Sequence, residues 1–180
     1  MTTEREYLAN LLQPFSGIDA RKIEQLYAFL KLVLEANQKT NLTAITNWEE
    51  AVVKHLYDSL FVTCRLHWEG ASRVLDIGAG AGFPGIPLAI LYPQKKSFLV
   101  EASKKKAEFL SLVKEKLRLD NTFILNERAE TIAHQKDHRG QYAIVTARAV
   151  ASTAVLLELA LPFCQQEGYF VAYKGRNYQE

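Results

Sequence analysis

The sequence predicts an α/β fold: a parallel, doubly wound sheet preceded by a helical N-terminal region. Three observations predict it. From about residue 71 onward, short apolar runs alternate with stretches of helical periodicity. The first such run, Arg73-Val74-Leu75-Asp76-Ile77, leads directly into Gly78-Ala79-Gly80-Ala81-Gly82. Residues 1–70 show apolar positions at helical spacing only. Strands that alternate with helices must pair in parallel, because each helix carries the chain back to the same end of the sheet. A single domain over residues 1–180 is expected, with residues 1–70 as its helical part and 71–180 as its α/β core.

In the N-terminal part, Leu8, Leu11, Leu12 and Phe15 suggest a short first helix. Ile23, Leu26, Tyr27, Leu30, Val33 and Leu34 then form one apolar face of a longer one. A third helical stretch covers Trp48 to Leu56, and Asp58-Ser59 are placed to cap a further short helix over Leu60 to Leu66. In the second part, strands are expected at Arg73–Ile77, Ser97–Glu101, Thr122–Leu125, Tyr142–Thr146 and Tyr169–Tyr173. Helices are expected near Ile86–Leu91, after Ser103 as cap with Phe109, Leu110, Val113 and Leu117 on one side, near Ala129–Ala133, and over Thr153–Leu161.

Composition excludes several function classes. A hydrophobic share of 48% with 23% charged residues is that of a globular chain and argues against disorder. Cys64 and Cys164 are far apart, form no CxxC pair and sit in apolar settings, so two buried thiols and no metal site are expected. The stretch from Ala143 to Cys164 is broken by Arg148 and Glu158, and the N-terminus lacks an apolar signal segment. No membrane span, a cytoplasmic location and a monomer are expected. The net charge of +2 neither demands nor excludes a nucleic-acid partner.

The glycine loop narrows the ligand. In a doubly wound sheet, ligands bind beyond the carboxyl ends of the strands, where the winding reverses. A dinucleotide needs GxGxxG opening a helix, and Gly80-Ala81-Gly82-Phe83-Pro84-Gly85 fits that literally. Counted from the first glycine, however, the spacing is GxGxG, and Pro84 and Pro87 crowd the helix start. S-adenosylmethionine carries no phosphate and needs no helix N-terminus. Asp76 is placed to orient its polar amino-acid end, directly or through water, and Glu101 to accept hydrogen bonds from its ribose hydroxyls. Gly78, Gly80 and Gly82 would let it approach the backbone.

Val74-Leu75-Asp76-Ile77-Gly78-Ala79-Gly80-Ala81-Gly82-Phe83-Pro84-Gly85-Ile86-Pro87-Leu88-Ala89 resembles the signature of the bacterial RsmG (GidB) methyltransferases. Asn41-Leu42-Thr43-Ala44-Ile45, His55-Leu56-Tyr57-Asp58-Ser59-Leu60, Arg128-Ala129-Glu130 and Thr146-Ala147-Arg148-Ala149-Val150-Ala151 agree with it, so the resemblance spans nearly the whole chain. It implies a Rossmann-like class I methyltransferase fold and N7 methylation of a guanine in the decoding-region loop of 16S ribosomal RNA in the small subunit. It also implies a cofactor pocket at Gly78, Phe83, Glu101, Ala129, Glu130 and Arg148. The family continues past the fifth strand with a helix and a β-hairpin that complete a seven-stranded sheet. Those C-terminal strands are expected to be missing here, leaving the fifth strand either an exposed edge or poorly ordered.

Guanine N7 carries a free lone pair at neutral pH, so neither a catalytic triad nor a metal is expected. The enzyme has to align nucleophile, methyl carbon and sulfur. Three residues are candidates for substrate positioning. Asp58 is one, with a helix N-cap as its other reading. His55 is the second, with a solvent-facing or Asp58-paired imidazole as the alternative. Arg148 is the third, after the fourth strand. Asn41 reads either as a base contact or as a helix terminator, with the latter favoured, and Lys174 is a weaker candidate. Lys95-Lys96, Lys104-Lys105-Lys106, Lys114, Lys116 and Arg118 read as solvated basic faces. Arg128, Arg139, Arg148, Lys174 and Arg176 follow the later strands, nearer the expected cleft. Two other classes remain open: a nicotinamide-dependent oxidoreductase that uses the GxGxxG register, and a non-catalytic RNA-binding module.

Overall fold

The computed structural model describes residues 3–66, 68, 70–148 and 152–174. Ala149, Val150, Ala151 and Arg176, named above, lie outside them.

Five parallel strands form one sheet: β1 (Arg73–Ile77), β2 (Lys96–Val100), β3 (Thr122–Leu125), β4 (Tyr142–Arg148) and β5 (Cys164–Tyr173), in the order β3-β2-β1-β4-β5. The chain winds outward from β1 to β3, then crosses back to lay β4 on the other side of β1. This reversal leaves a crevice beyond the carboxyl ends of β1 and β4. The glycine loop and Arg148 both emerge there. β5 is the sheet's edge, as expected, and is longer than the sequence suggests, beginning at Cys164. Its register against β4 slips between Tyr142 and Ile144, where Glu167 takes a φ of 61°.

The helices are α1 (Glu4–Leu12), α2 (Ala20–Thr40), α3 (Trp48–Ala51), α4 (Asp58–Phe61), α5 (Gly85–Leu91), α6 (Lys104–Leu117), α7 (Ala129–Ile132) and α8 (Thr153–Ala160). Each long helix has a local reason to start or stop. Thr3 and Glu6 form a reciprocal capping box on α1. Asp19 accepts the Lys22 N–H at 2.8 Å to open α2. Asn41 ends α2 in the left-handed region at φ 47°, the terminating role of its two readings. On one face of the sheet, Leu8, Leu12, Leu26, Phe29, Leu30 and Val33 pack with Ile86, Leu110 and Val113 in a single apolar cluster. That cluster joins the N-terminal helices to the α/β part. On the other face, Leu75, Ile77, Val145, Leu156 and Phe163 form a second cluster.

Several expectations need correction. Asp58 does not cap a new helix. α3 runs through a π-helical segment (Val52–Tyr57) into α4 without a break, and Asp58 itself has helical torsions. Phe15 lies beyond α1 but is still buried in the core. Ser103 stands at the N-cap of α6, yet its hydroxyl makes no capping bond. Cys64 is exposed and only Cys164 is partly buried. Lys95 is no surface lysine: it is 5% exposed, and its ammonium donates to the carbonyls of Ala71 (2.7 Å) and Trp68. Arg139 precedes β4 and therefore lies at the amino end of the sheet, away from the crevice.

Candidate cofactor and substrate site

A cleft of about 280 Å³ opens at the β1/β4 reversal, lined by Leu42, Thr43, His55, Gly78–Ala81, Phe83, Lys106 and Arg148. Larger depressions occur elsewhere on the surface, but this one holds the glycine loop.

The three alternate glycines are not equivalent, although all have positive φ. A Cβ on Gly80 would meet only the Gly78 carbonyl, at 3.7 Å, so that face is open to a ligand. A Cβ on Gly82 would lie 2.8 Å from Ile86 Cγ1 and 3.2 Å from both Leu110 and Phe29. Gly82, expected to meet the cofactor, instead lets the loop pack on the core. Gly85 is equally closed, its Cβ position lying 2.8 Å from the Asp76 carboxylate. This closure removes the dinucleotide register. Its second glycine, Gly82, is the one that must let a pyrophosphate reach the backbone, and it faces protein. The first amides of α5 are also occupied: Gly85 N–H donates to Asp76 and Ile86 N–H to the Gly82 carbonyl.

Asp76 was expected to reach the ligand, and the structure places it elsewhere. It is 1% exposed and accepts the Thr146 hydroxyl (2.8 Å) and the Gly85 N–H (3.0 Å). It ties β1 to β4 and pins the loop's exit. Burial pushes its pKa up to about 7 despite these two bonds. Glu101, after β2, accepts the N–H groups of Gly80 and Ser103, each at 2.8 Å. It clamps the loop and the start of α6, and its two oxygens keep lone pairs for further donors. Asn126, which sequence reasoning missed, donates to the Glu101 carbonyl at 2.8 Å. Ala129 is buried and Glu130 exposed at the start of α7, after β3. Neither lines the cleft.

His55, Phe83 and Arg148 come together as a group. His55 is 6% exposed, and its ring stacks on Phe83 with centroids 4.5 Å apart. The Arg148 guanidinium lies over the same Phe83, 5.4 Å from its centroid. It donates to the Lys54 carbonyl (3.1 Å), to Asp58 (3.4 Å) and to His55 Nδ1. His55 is therefore paired with Arg148, not with Asp58 or with solvent. Because Arg148 can only donate, Nδ1 must accept, and the ring proton sits on Nε2, which donates to Thr43 Oγ1 at 2.8 Å. Thr43 is braced in turn by Asn37, whose side-chain amide pairs with both the Thr43 N–H and carbonyl. The Arg148 side chain is 17% exposed, so these bonds are largely shielded from water. The π-helical segment that carries His55 belongs to a class of distortion often found at functional sites. Lys174 is exposed and lies off this cleft.

Burial, with the Arg148 charge second, lowers the His55 pKa to about 4. A histidine whose pKa falls on folding contributes stability that is present above its unfolded value near 6.5. That stability is lost as pH falls toward 4, because the unfolded chain then binds the extra proton. The His55→Gln variant should flatten the loss of stability between pH 6.5 and 4 by up to about 3 kcal/mol. Urea midpoints measured across that window check this. Parallel curves for the variant and the parent would exclude His55 as a cause.

The family of rRNA small subunit methyltransferase G (GidB) matches residues 22–180. The chain belongs to this family. Relatives named ribosomal RNA small subunit methyltransferase G are similar over most of the chain. That of Caldanaerobacter subterraneus subsp. tengcongensis is 46% identical, over 88% of this chain and 66% of its own length. That of Bacillus subtilis is 38% identical, over 97% and 73%. The chain thus spans about two thirds to three quarters of the relatives' length. Among solved structures, cofactor-bound Rv0187 from MTB aligns with a TM-score of 0.61, 20% identity, and 96% and 73% coverage. An O-methyltransferase from Bacillus cereus in complex with SAH aligns at 0.57, 20% identity, and 89% and 67% coverage. At such identities these two show the fold alone; with the family match, it is the Rossmann-like class I methyltransferase fold, here preceded by N-terminal helices. Membership of the rRNA small subunit methyltransferase G family makes this chain a methyltransferase that uses S-adenosyl-L-methionine. Among the described residues, no helix is long and apolar enough to cross a membrane.

Proposed function

We propose that this protein methylates N7 of a guanine in 16S ribosomal RNA of the small subunit's decoding region, working as a cytoplasmic monomer without a metal. The observation that carries the reading is the open face of Gly80 beside the His55–Phe83–Arg148 group, at the sheet's winding reversal, in a member of this family.

The residues fit S-adenosylmethionine: Gly78 and Gly80 are partly exposed in the cleft, Glu101 sits at the end of the neighbouring strand with lone pairs to spare, and a Cβ-sized space at Gly80 is open. When bound, the cofactor supplies a methyl group on a positively charged sulfur. Gly78 and Gly80 would hold its amino-acid end and Glu101 its ribose, and its base would extend past the cleft's lining toward Ala129 and Glu130 at the start of α7. Phe83 closes the apolar side of the cleft. Neutral His55, fixed in one tautomer, cannot act as an acid at neutral pH and instead positions the target base with Arg148 and Asp58. No general base is required, since N7 attacks with a free lone pair. Alignment alone can lower such a barrier by roughly 7–11 kcal/mol. Asp58 lies within reach of Arg148 and is placed to offset the positive charge of the methylated guanine.

Two experiments test this reading. Small subunits that lack the modification, incubated with the protein and labelled cofactor, should yield 7-methylguanosine on nuclease digestion and mass spectrometry. Label in another nucleoside would correct the target, and no label in RNA would sink the proposal. Glu101→Ala should weaken S-adenosylhomocysteine binding by roughly 1–3 kcal/mol, through the lost ribose bonds and the unclamped Gly80 amide. Equal affinity in calorimetry would remove Glu101 from the cofactor site.

A further inference from the structure

Two donors lining the cleft have no acceptor among the described residues. The first is the Thr43 hydroxyl. Its oxygen accepts twice, from His55 Nε2–H at 2.8 Å and from the Ile45 N–H at 3.1 Å. Both lone pairs are thereby used, and the hydroxyl hydrogen is left to point elsewhere. The tautomer of His55 is what enforces this, since Arg148 leaves Nδ1 no role but acceptor. The second is the ammonium of Lys106, a half-buried residue in the first turn of α6. Lys106 lines the cleft together with the glycine loop and makes no hydrogen bond or ion pair among the described residues.

The cleft's charge is one-sided. Its ionised lining groups are Lys106 and Arg148, and no carboxylate lines it. Arg148 is already committed to the Lys54 carbonyl, Asp58 and His55. An anion entering the cleft is therefore met by Lys106 and Thr43. At about 280 Å³ the space admits an amino-acid-sized group beside Gly78–Ala81, and not a stretch of polynucleotide.

We infer that Thr43 and Lys106 form the seat of the cofactor's methionine carboxylate, Thr43 donating one hydrogen bond and Lys106 a charge-assisted one. This rests on the cofactor reading of the cleft and assigns that site's anionic end. It gives the lysine run a function at one of its three positions, with Lys104 and Lys105 exposed to solvent. It also makes His55 and Arg148 part of a relay that orients Thr43, so the substrate side and the cofactor side of the cleft share one hydrogen-bond chain.

The test compares two ligands by calorimetry on the full chain. S-adenosylhomocysteine carries the carboxylate, and 5′-methylthioadenosine lacks the whole amino-acid end. Lys106→Met and Thr43→Val should each weaken S-adenosylhomocysteine about tenfold, the usual effect of one hydrogen bond to a charged group, and leave methylthioadenosine within about twofold. Thr43→Ser, which keeps the hydroxyl, should bind both ligands nearly as the parent does. Equal weakening of both ligands, or no weakening of S-adenosylhomocysteine, overturns the assignment. So does a Lys106→Met variant that loses only RNA affinity, which would make the lysine a phosphate contact. Failure of the parent chain to bind either ligand would instead overturn the cofactor reading itself.

Discussion

Gly82→Ala should lower the melting temperature by on the order of 10 °C, while Gly80→Ala, two residues away in the same motif, should cost far less. The contrast follows from where each missing side chain would point. At Gly82 the new Cβ meets Ile86 at 2.8 Å and Leu110 and Phe29 at 3.2 Å, and all three are buried. None can retreat without disturbing the cluster that joins α2, α5 and α6. Overpacking of this kind costs about 1–3 kcal/mol, and holding a non-glycine residue at a φ of +98° adds about as much again. Together that is a large share of a total stability of roughly 5–15 kcal/mol. Gly80→Ala carries only the backbone cost, about 1–2 kcal/mol, because its Cβ meets nothing closer than 3.7 Å. Its main effect should fall on cofactor affinity. Thermal unfolding with and without S-adenosylhomocysteine separates the two. Similar melting temperatures for the two variants would mean that Gly82 does not face the core as described.

The second large effect is expected at Arg148. Arg148→Met keeps the length and apolar stem of the side chain but removes five donors. His55 Nδ1 and the Lys54 carbonyl lose their partner, Asp58 loses its ion pair, and the cation over Phe83 disappears. Methyl transfer should fall by about 100-fold, the loss that roughly 1 Å of misalignment can cause. Stability should fall by about 1–3 kcal/mol from the unpaired groups, less than for a fully buried pair because Asp58 is half-exposed. One readout separates a positioning role from general disruption. The Arg148 charge helps to hold the His55 pKa down, so in the variant that pKa should move up toward its ordinary value. Imidazole NMR titration measures this directly. An unchanged His55 titration with lost activity would break the proposed link between the two residues. Asp58→Asn, which leaves Arg148 and its bond to His55 in place, should have a much smaller effect on both readouts.

Every expected strand of the sheet occurs, with ends displaced by a few residues, because strand formation here depends on short, continuous apolar runs that any reader of the chain can find. The least accurate boundary is that of β5, where the polar run Gln165-Gln166-Glu167 hides a strand start that pairing with β4 supplies. The break expected at Asp58 failed for a related reason. An Asp-Ser pair is a good cap, but the continuous packing of Leu56 and Leu60 keeps the backbone helical through it.

For the site, the chain alone determined the glycine loop, the acid that follows β2 and the arginine that follows β4, and so narrowed the cofactor to two classes. These are consequences of local order: in a parallel sheet, whatever follows a strand lies at the same end. Only the tertiary structure decided which way each group faces. Gly80 and Gly82 share a motif and a positive φ, yet one opens to the cleft and the other to Phe29, which comes from the N-terminal helices. Asp76 and Lys95 carry charges that suggested solvent or ligand, and both are buried against protein partners. His55 and Arg148 are 93 residues apart in the chain and in hydrogen-bond contact. Their pairing fixes the imidazole tautomer, and through it the direction of the Thr43 hydroxyl. Spacing along a chain sets which end of the sheet a residue reaches. Long-range packing against groups of unrelated sequence position sets its partners, its burial and so its chemistry.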